Sequence, residues 1–239
     1  MSTIASPRRT PSGRGRRGVI RPGLCGAPVC GGAVRSRAGA GGRPDGEGWV
    51  DLLDAEHASL WKNLGDDKDI FEVRDGVLHI YGRTVFPLRY ATYTGATFGD
   101  FDLHVEFKLA RRANSGLFLR THPNDPVNRG FEVQVLDDFG QRPNKNGCGA
   151  IYDVATPMFN LSRPAGEWNS YDISVKGKQV VVIMNGWKII ECDLAQMTTQ
   201  IGKFPIAYND LPLEGNIAFQ DHGGEVWYRN VLIKAHARG

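Results

Sequence analysis

A carboxylate and a carboxamide lie two residues apart in the stretch Phe131-Glu132-Val133-Gln134-Val135. The apolar residues of this stretch alternate with Glu132 and Gln134, and that period predicts a half-buried β-strand with both polar side chains on one face. On that face Glu132 can serve as a base or accept hydrogen bonds from sugar hydroxyls. Gln134 can only bind, since a carboxamide does not exchange protons. The alternative interpretation is an ordinary solvated sheet face.

A histidine next to a carboxylate is the second candidate for chemistry. His222 follows Asp221 in the segment Gln220-Asp221-His222-Gly223. An imidazole can carry a proton near neutral pH, and Asp221 can hold it in place. The alternative is a loop histidine that caps a turn.

The elements that position these residues are short strands separated by turns. All odd positions of 101–109 are apolar and all even ones polar, which predicts a strand. Asp75-Gly76 and Asn185-Gly186 predict tight hairpins, because both turn positions need a positive φ. We predict a turn at Asn114-Ser115-Gly116 and one short helix within 193–200. Many short strands at this spacing indicate an all-β antiparallel sandwich or barrel.

Charge divides the chain into two regions. Residues 1–47 hold nine arginines against two acidic residues, a net charge of +7, whereas the remainder holds 20 basic and 24 acidic residues, a net charge of −4. The first region has almost no large apolar residues and is predicted to be a disordered tail. Residues 48–239 form the predicted folded domain, whose acidic balance gives no reason to expect nucleic acid binding. We find no transmembrane span and no clear signal peptide, so both an exported and a cytoplasmic location stay open.

The cysteines and acidic residues give no strong metal signal. Cys148 and Cys192 are read as free thiols, although pairing between them stays open, and no spacing indicates zinc. No cofactor is expected. Calcium held by Asp137, Asp138 and Asp153 is the weaker alternative, because no Asp-x-Asp-x-Asp loop supports it.

Six motifs in chain order resemble those of the 3-keto-disaccharide hydrolase family. They are Gly99–Leu103, Asn114–Arg120, Phe131–Asp137, Gly149–Tyr152, Pro164–Asn169 and Asn216–Gly223. The resemblance covers 48 to about 235 and implies a concanavalin-like jelly-roll sandwich, as in lectins and laminarinase-type glucanases. Most relatives are bacterial and exported, and the missing signal peptide is where this chain departs from them.

The resemblance also implies an activity. Members are similar to enzymes that cleave glycosides already oxidised to a ketone at carbon 3, so a separate oxidoreductase is the implied partner and a small carbohydrate the substrate. The ketone acidifies the proton on carbon 2. A base removes that proton, the group on carbon 1 leaves, and water adds back.

Site roles follow from this chemistry as expectations. Glu132 and His222 are the predicted catalytic residues. Arg120 is predicted to share a face with Phe118 and to bind the ketone or enolate oxygen, the alternative being a surface ion pair. The remaining predicted substrate-binding residues are Asn114, Gln134, Asp137, Tyr152 and Asp221.

Three alternatives stay open. A non-catalytic, lectin-like carbohydrate-binding module is the second function, and an interaction protein acting through the arginine-rich tail is the third. Within the enzyme hypothesis, a conventional two-carboxylate glycosidase is disfavoured because Gln134 occupies the position of a second carboxylate, and only Asp137 could replace it.

Overall fold

The computed structural model describes residues 42–66, 68–84, 86–202 and 204–237. Of the predicted disordered tail, 1–47, residues 1–41 lie outside these ranges. Its last residues lie against the folded domain, where Lys234 Nζ donates to the carbonyl of Glu47 at 3.0 Å. None of the helices in these ranges is long and apolar enough to cross a membrane.

The described chain is built almost entirely of strands, with three short 3₁₀ helices at Ala58–Leu60, Leu194–Gln196 and Tyr208–Asp210. The strands are β1 (Val50–Asp51), β2 (Trp61–Asn63), β3 (Phe71–Arg74), β4 (Val77–Ile80), β5 (Arg89–Tyr93), β6 (Asp100–Leu109), β7 (Asn114–Thr121), β8 (Phe131–Leu136), β9 (Trp168–Lys176), β10 (Gln179–Met184), β11 (Trp187–Asp193), β12 (Asn216–Asp221) and β13 (Val226–His236).

Two antiparallel sheets form the sandwich. The larger sheet has the order β11-β10-β9-β6-β13-β4-β3, with β1 also paired to β13. The smaller sheet has the order β2-β5-β12-β7-β8. Strands that are far apart in the chain are neighbours in each sheet, which is the connectivity expected of a jelly roll. The predicted all-β sandwich is confirmed.

Alternating apolar residues from both sheets meet in one core. Phe101, Leu103 and Phe107 of β6 are almost completely buried, as the alternation in the sequence predicts. Across the core, the ring of Phe219 stacks on Tyr228 with a centroid distance of 3.8 Å and on Trp61 with a distance of 5.1 Å. Each such side chain contributes about 2–3 kcal/mol by its burial.

Both predicted hairpins are present. Asp75 (φ 52°) and Gly76 (φ 72°) join β3 to β4, and Asn185 with Gly186 joins β10 to β11. The helix predicted within 193–200 is confirmed as the single turn Leu194–Gln196. The predicted turn at Asn114-Ser115-Gly116 is wrong, because these residues open β7 and pair with Leu136, Val135 and Gln134.

The outer strand β8 is covered along its free edge by residues 149–152. The backbone N–H of Gln134 donates to the carbonyl of Ala150, and its carbonyl accepts from Gly149 N, both at 2.9 Å. Tyr152 N donates to the carbonyl of Glu132 at 2.9 Å. The segment that carries Tyr152 is thereby fixed to the strand that carries Glu132.

Candidate functional site

The outer face of the smaller sheet carries the candidate site. Residues 117, 119, 133, 217 and 219 point into the core, so the residues between them point outward. The antiparallel register arranges these outward residues in two neighbouring cross-strand rows. They are Thr92, Ala218, Phe118 and Glu132 in one row, and Tyr90, Gln220, Gly116 and Gln134 in the other.

Glu132 is a buried carboxylate on this outer face, with 4% of its surface exposed. Its diagonal neighbour on β7, Gly116, has no side chain to compete for the space. A Cβ on Gly116 would lie 2.1 Å from Glu132 Oε1, so the glycine makes room for the carboxylate. A carboxylate kept from bulk water and placed on a polar face can act as a base.

The negative charge of Glu132 reaches three tyrosines that lie outside the larger sheet. Burial raises the pKa of Tyr90 to about 12. Burial also raises the pKa values of Tyr152 and Tyr208 above the ordinary tyrosine range, and the negative charge of Glu132 adds to all three shifts. All three phenols are therefore protonated donors at neutral pH. Among the described residues, the hydroxyls of Tyr90 and Tyr208 are buried without a hydrogen-bond partner; Gln220 lies beside Tyr90 but does not reach hydrogen-bonding geometry.

Gln134 shares the outward face with Glu132, as predicted, and is also 4% exposed. Its side-chain Nε2 donates to the carbonyl of Asn146 at 3.3 Å, and its Oε1 accepts from Val135 N at 3.1 Å. The first of these bonds is long, so it can be exchanged for a bond to a ligand hydroxyl.

Asn114 and His222 contact each other directly. The Asn114 amide nitrogen lies 2.7 Å from His222 Nδ1, where an amide N–H can donate to the tautomer whose Nδ1 carries no proton. Asn114 pairs with Leu136, four residues beyond Glu132, or about 13 Å along the strand. His222 follows β12, which lies between β5 and β7, so the pair stands at one end of the outward face and not against Glu132.

Arg120 lies away from Glu132 and its face. The sequence predicts that it shares a face with Phe118, but Arg120 has a positive φ of 49° and lies where the pairing of β7 with β12 shifts register. This irregularity turns its guanidinium toward the larger sheet, where it bonds the carbonyls of Gly99 and Gly177 and the carboxylate of Asp100 at 3.0 Å. The structure does not bring Arg120 together with Glu132, because a bulge breaks the simple alternation.

The two other predicted acidic residues also serve local contacts or point inward. The Asp137 carboxylate accepts a hydrogen bond from Arg112 N at 2.6 Å. Asp221 is fully buried, and neither of its oxygens has a hydrogen-bond partner among the described residues. It therefore does not hold His222 as predicted, because Asp221 lies two residues after Phe219 and points to the same inward side of β12. Asn114 supplies that contact instead.

The acidic residues considered for calcium are engaged separately. Asp138 accepts from Cys148 N at 2.9 Å and from Ser162 Oγ at 3.2 Å. Asp153 forms an ion pair with Lys145. Within the described part of the chain, no group of three or more His, Cys, Asp or Glu side chains is arranged to hold a metal ion.

The sequence pattern does not indicate Tyr90, Thr92 and Gln220 of this face, nor Tyr208, whose pKa the charge of Glu132 raises. Tyr90 and Thr92 alternate with core residues in the segment Arg89-Tyr90-Ala91-Thr92-Tyr93, and this alternation is the signal that could have found them. Gln220 belongs to a quoted motif. Tyr208 lies in a short helix outside the sheets and gives no such signal.

The fold and the outer face of the smaller sheet together indicate a class of protein. An antiparallel two-sheet sandwich of lectin and glucanase type, with a buried carboxylate on an outer face, is typical of proteins that act on or bind carbohydrates. The chain belongs to the family of 3-keto-alpha-glucoside-1,2-lyase-like domains, whose profile matches residues 48–234.

Relatives agree with this family. The chain is 25% identical to a 3-keto-disaccharide hydrolase of Bacteroides thetaiotaomicron, over 80% of this chain and 79% of the relative. A crystal structure from Parabacteroides distasonis, with a provisional assignment as a glycosyl hydrolase, has 25% identity and a TM-score of 0.67 and covers 79% of this chain and 99% of its own. A galectin-like protein of unknown function from Bacillus subtilis has 13% identity and a TM-score of 0.52 over 80% of this chain and 96% of its own, which shows the fold alone. Family and relatives together support a function of the glycoside hydrolase type.

Proposed function

We propose that the protein hydrolyses 3-keto-glycosides by elimination and hydration, with Glu132 as the base. The observation that carries the proposal is the buried, outward-facing carboxylate of Glu132 among protonated tyrosines and two carboxamides. A single carboxylate in this setting suits removal of a proton next to a ketone. The family and the name of the Bacteroides relative support the same substrate class.

The reaction balances with one base and one water. Glu132 takes the proton from carbon 2, and the electron pair moves to the ketone oxygen to form an enolate. The carbon 1–oxygen bond then breaks, and the leaving oxygen takes a proton. Water adds its oxygen to carbon 1, and a proton returns to carbon 2, so the net change is hydrolysis of the glycosidic bond.

Other side chains bind the sugar and donate hydrogen bonds to it. We assign the enolate oxygen to the hydroxyl of Tyr208, which is buried and has no partner within the described ranges. A preorganised donor of this kind stabilises developing negative charge in a water-poor site. Gln134 and Gln220 bind sugar hydroxyls. The leaving oxygen takes its proton from water, because His222 stands with Asn114 at the far end of the face, about 13 Å along the strand from Glu132.

The decisive experiment measures two steps on one substrate. Purified protein is mixed with a 3-keto-disaccharide in D₂O, and deuterium exchange at carbon 2 and release of the leaving sugar are followed by NMR. We expect both in the wild type. Glu132→Gln keeps the shape of the side chain but removes the base, and we expect both rates to fall about 10³-fold.

Glu106→Gln is the matched control. Glu106 is also a buried strand carboxylate, 6% exposed, but it lies on the larger sheet and binds Arg229 and Asn230. We expect it to keep the wild-type rate per folded molecule. Saturable sugar binding without exchange or cleavage by the wild type would refute the proposal in favour of a binding module. Equal losses in both variants would refute the role of Glu132.

A further inference from the structure

Four large apolar side chains stand exposed at one end of the sandwich, the end beyond Leu109 of β6, Leu136 of β8 and Met184 of β10. They are between 50% and 65% exposed and are here called the loop-end patch: Phe139, Met158, Phe159 and Trp187. With half or more of each side chain exposed, the loop-end patch presents on the order of 400 Å² of apolar surface. An exposed apolar patch of this size marks an interaction site.

Hydrogen bonds hold the loop-end patch together. The backbone N–H of Met158 donates to the carbonyl of Ile189 at 2.8 Å, which places Met158 beside the start of β11. The side chain of Asn160 donates to the carbonyl of Asp138 at 2.9 Å, which places the same loop beside Phe139. Loops that are fixed in this way lose little conformational entropy when a partner covers them.

Exposed arginines border the loop-end patch. Arg142 lies three residues after Phe139, and Arg111 and Arg112 lie in the turn between β6 and β7. That turn is tied to the loop of Phe139, because the N–H of Arg112 donates to Asp137 Oδ2 at 2.6 Å. Within the described part of the chain, none of these three guanidinium groups is paired with a carboxylate. Positive charge therefore lies beside the apolar side chains, in a domain whose net charge is −4.

Apolar side chains on loops with arginines beside them match the surface of an anionic lipid bilayer. Aromatic side chains, Trp above all, are favoured at the boundary between headgroups and acyl chains, and arginines attract anionic headgroups. Met158 and Phe159 offer no hydrogen-bonding group to a polysaccharide, which favours lipid over a glycan. Two exposed carboxylates of this end, Glu167 and Glu225, precede β9 and β13 and are not on the loops that carry the patch.

We propose that this end of the protein docks on an anionic membrane surface, with the loop-end patch in the lipid and the three arginines at the headgroups. The inference does not rest on the proposed activity, and it leaves the candidate site open. Glu132 precedes Leu136 by four residues, or about 13 Å along β8, whereas interfacial elements enter the lipid by only about 5–10 Å.

The test uses the full chain and vesicles of phosphatidylcholine, with or without phosphatidylserine, whose acyl chains carry bromine. Bromine quenches the fluorescence of a tryptophan that enters the lipid, so quenching reports insertion of Trp187 and not attachment by the arginine-rich tail. We expect saturable quenching by the vesicles that contain phosphatidylserine and little by those without it. Trp187→Phe keeps an aromatic ring, so this variant should stay bound in sedimentation with the vesicles but lose the quenching.

Two further variants measure the contributions of apolar side chains and charge. Phe159→Ser should weaken binding to the anionic vesicles about tenfold, and Arg142→Gln about fivefold. The matched controls are Leu213→Ser, an exposed apolar residue in the loop before β12, and Arg74→Gln, an exposed arginine that ends β3. Each control should leave the affinity within about twofold of wild type.

Three outcomes would overturn the proposal. Vesicle binding without quenching would assign the attachment to the tail alone. Equal losses in the patch variants and their controls would remove the patch from the interaction. A dimer in sedimentation velocity without lipid, dissociated by Phe159→Ser, would assign the loop-end patch to a second copy of the chain.

Discussion

Replacing Gly116 by alanine tests whether the position of the Glu132 carboxylate matters for activity. The new Cβ would lie 2.1 Å from Oε1 and 2.9 Å from Cδ of Glu132, whereas ordinary contact begins near 3.4 Å. The carboxylate oxygen must therefore move by about 1.3 Å. Gly116 does not have a positive φ, so the backbone accepts alanine and the side chain of Glu132 is what gives way.

A displacement of about 1 Å in a reacting group costs about 100-fold in rate, or about 2.7 kcal/mol of transition-state stabilisation. We expect Gly116→Ala to lower kcat/KM for a 3-keto-disaccharide by about this factor. The free energy of unfolding should change by about 1 kcal/mol at most. The main shift is at the end of the Glu132 side chain, the ring carbon of Phe118 at 3.0 Å gives by a few tenths of an ångström, and alanine is favoured over glycine in a strand.

The assay combines carbon-2 exchange kinetics with urea unfolding, and a double-mutant cycle identifies the cause. With Glu132→Ala in the background, the space is empty and Gly116→Ala should no longer affect unfolding or the residual rate. The reasoning is refuted if Gly116→Ala retains more than about a third of wild-type kcat/KM, or if its effects persist unchanged in the Glu132→Ala background.

Three further outcomes are expected. Arg120→Ala should lower the free energy of unfolding in urea by about 3 kcal/mol, because it removes the buried guanidinium that joins the sheets, while kcat of the folded fraction stays unchanged; a selective loss of kcat would contradict this structural role. The hydrogen bond from Arg89 lowers the pKa of Asp66 to about 2 from its ordinary value of 3.8. The stabilisation that the ionised Asp66 gives the fold is therefore full above pH 4 and is lost as the pH falls toward 2. Unfolding curves of wild type and Asp66→Asn should therefore converge over that range, and a constant difference would argue against the pair. Burial raises the pKa values of the free thiols of Cys148 and Cys192 to about 12 and 11, so a variant without the cysteines of 1–47 should react with a thiol reagent only on unfolding, and fast native labelling would disprove their burial.

The local pattern of the sequence predicts what one strand does by itself. The alternation in 131–135 is sufficient to place Glu132 and Gln134 on the outward face, and Asp75-Gly76 and Asn185-Gly186 are sufficient for their hairpins. These features depend only on the period of a strand and on the φ values that a turn requires. The motifs, through the resemblance, correctly indicate the family and the sandwich.

What the sequence does not contain is the pairing of distant strands. Tyr90 joins the outward face that carries Glu132 only because β5 pairs with β12 and β12 with β7. The period-2 pattern predicts the wrong side for Arg120, because such a pattern does not show a register shift. The segment that begins at Asn114 predicts a turn because Asn, Ser and Gly favour turns locally, whereas cross-strand hydrogen bonds hold Asn114 in β7.

The hydrogen bonds between residues 149–152 and β8 have a consequence for solubility. An apolar outermost strand with free backbone groups is a template on which a second molecule can add a strand and start aggregation. Here a segment of the same chain occupies those groups. Shortening or cleaving the connection that holds this segment would expose the template, so we expect such damage to cause self-association before it unfolds the sandwich.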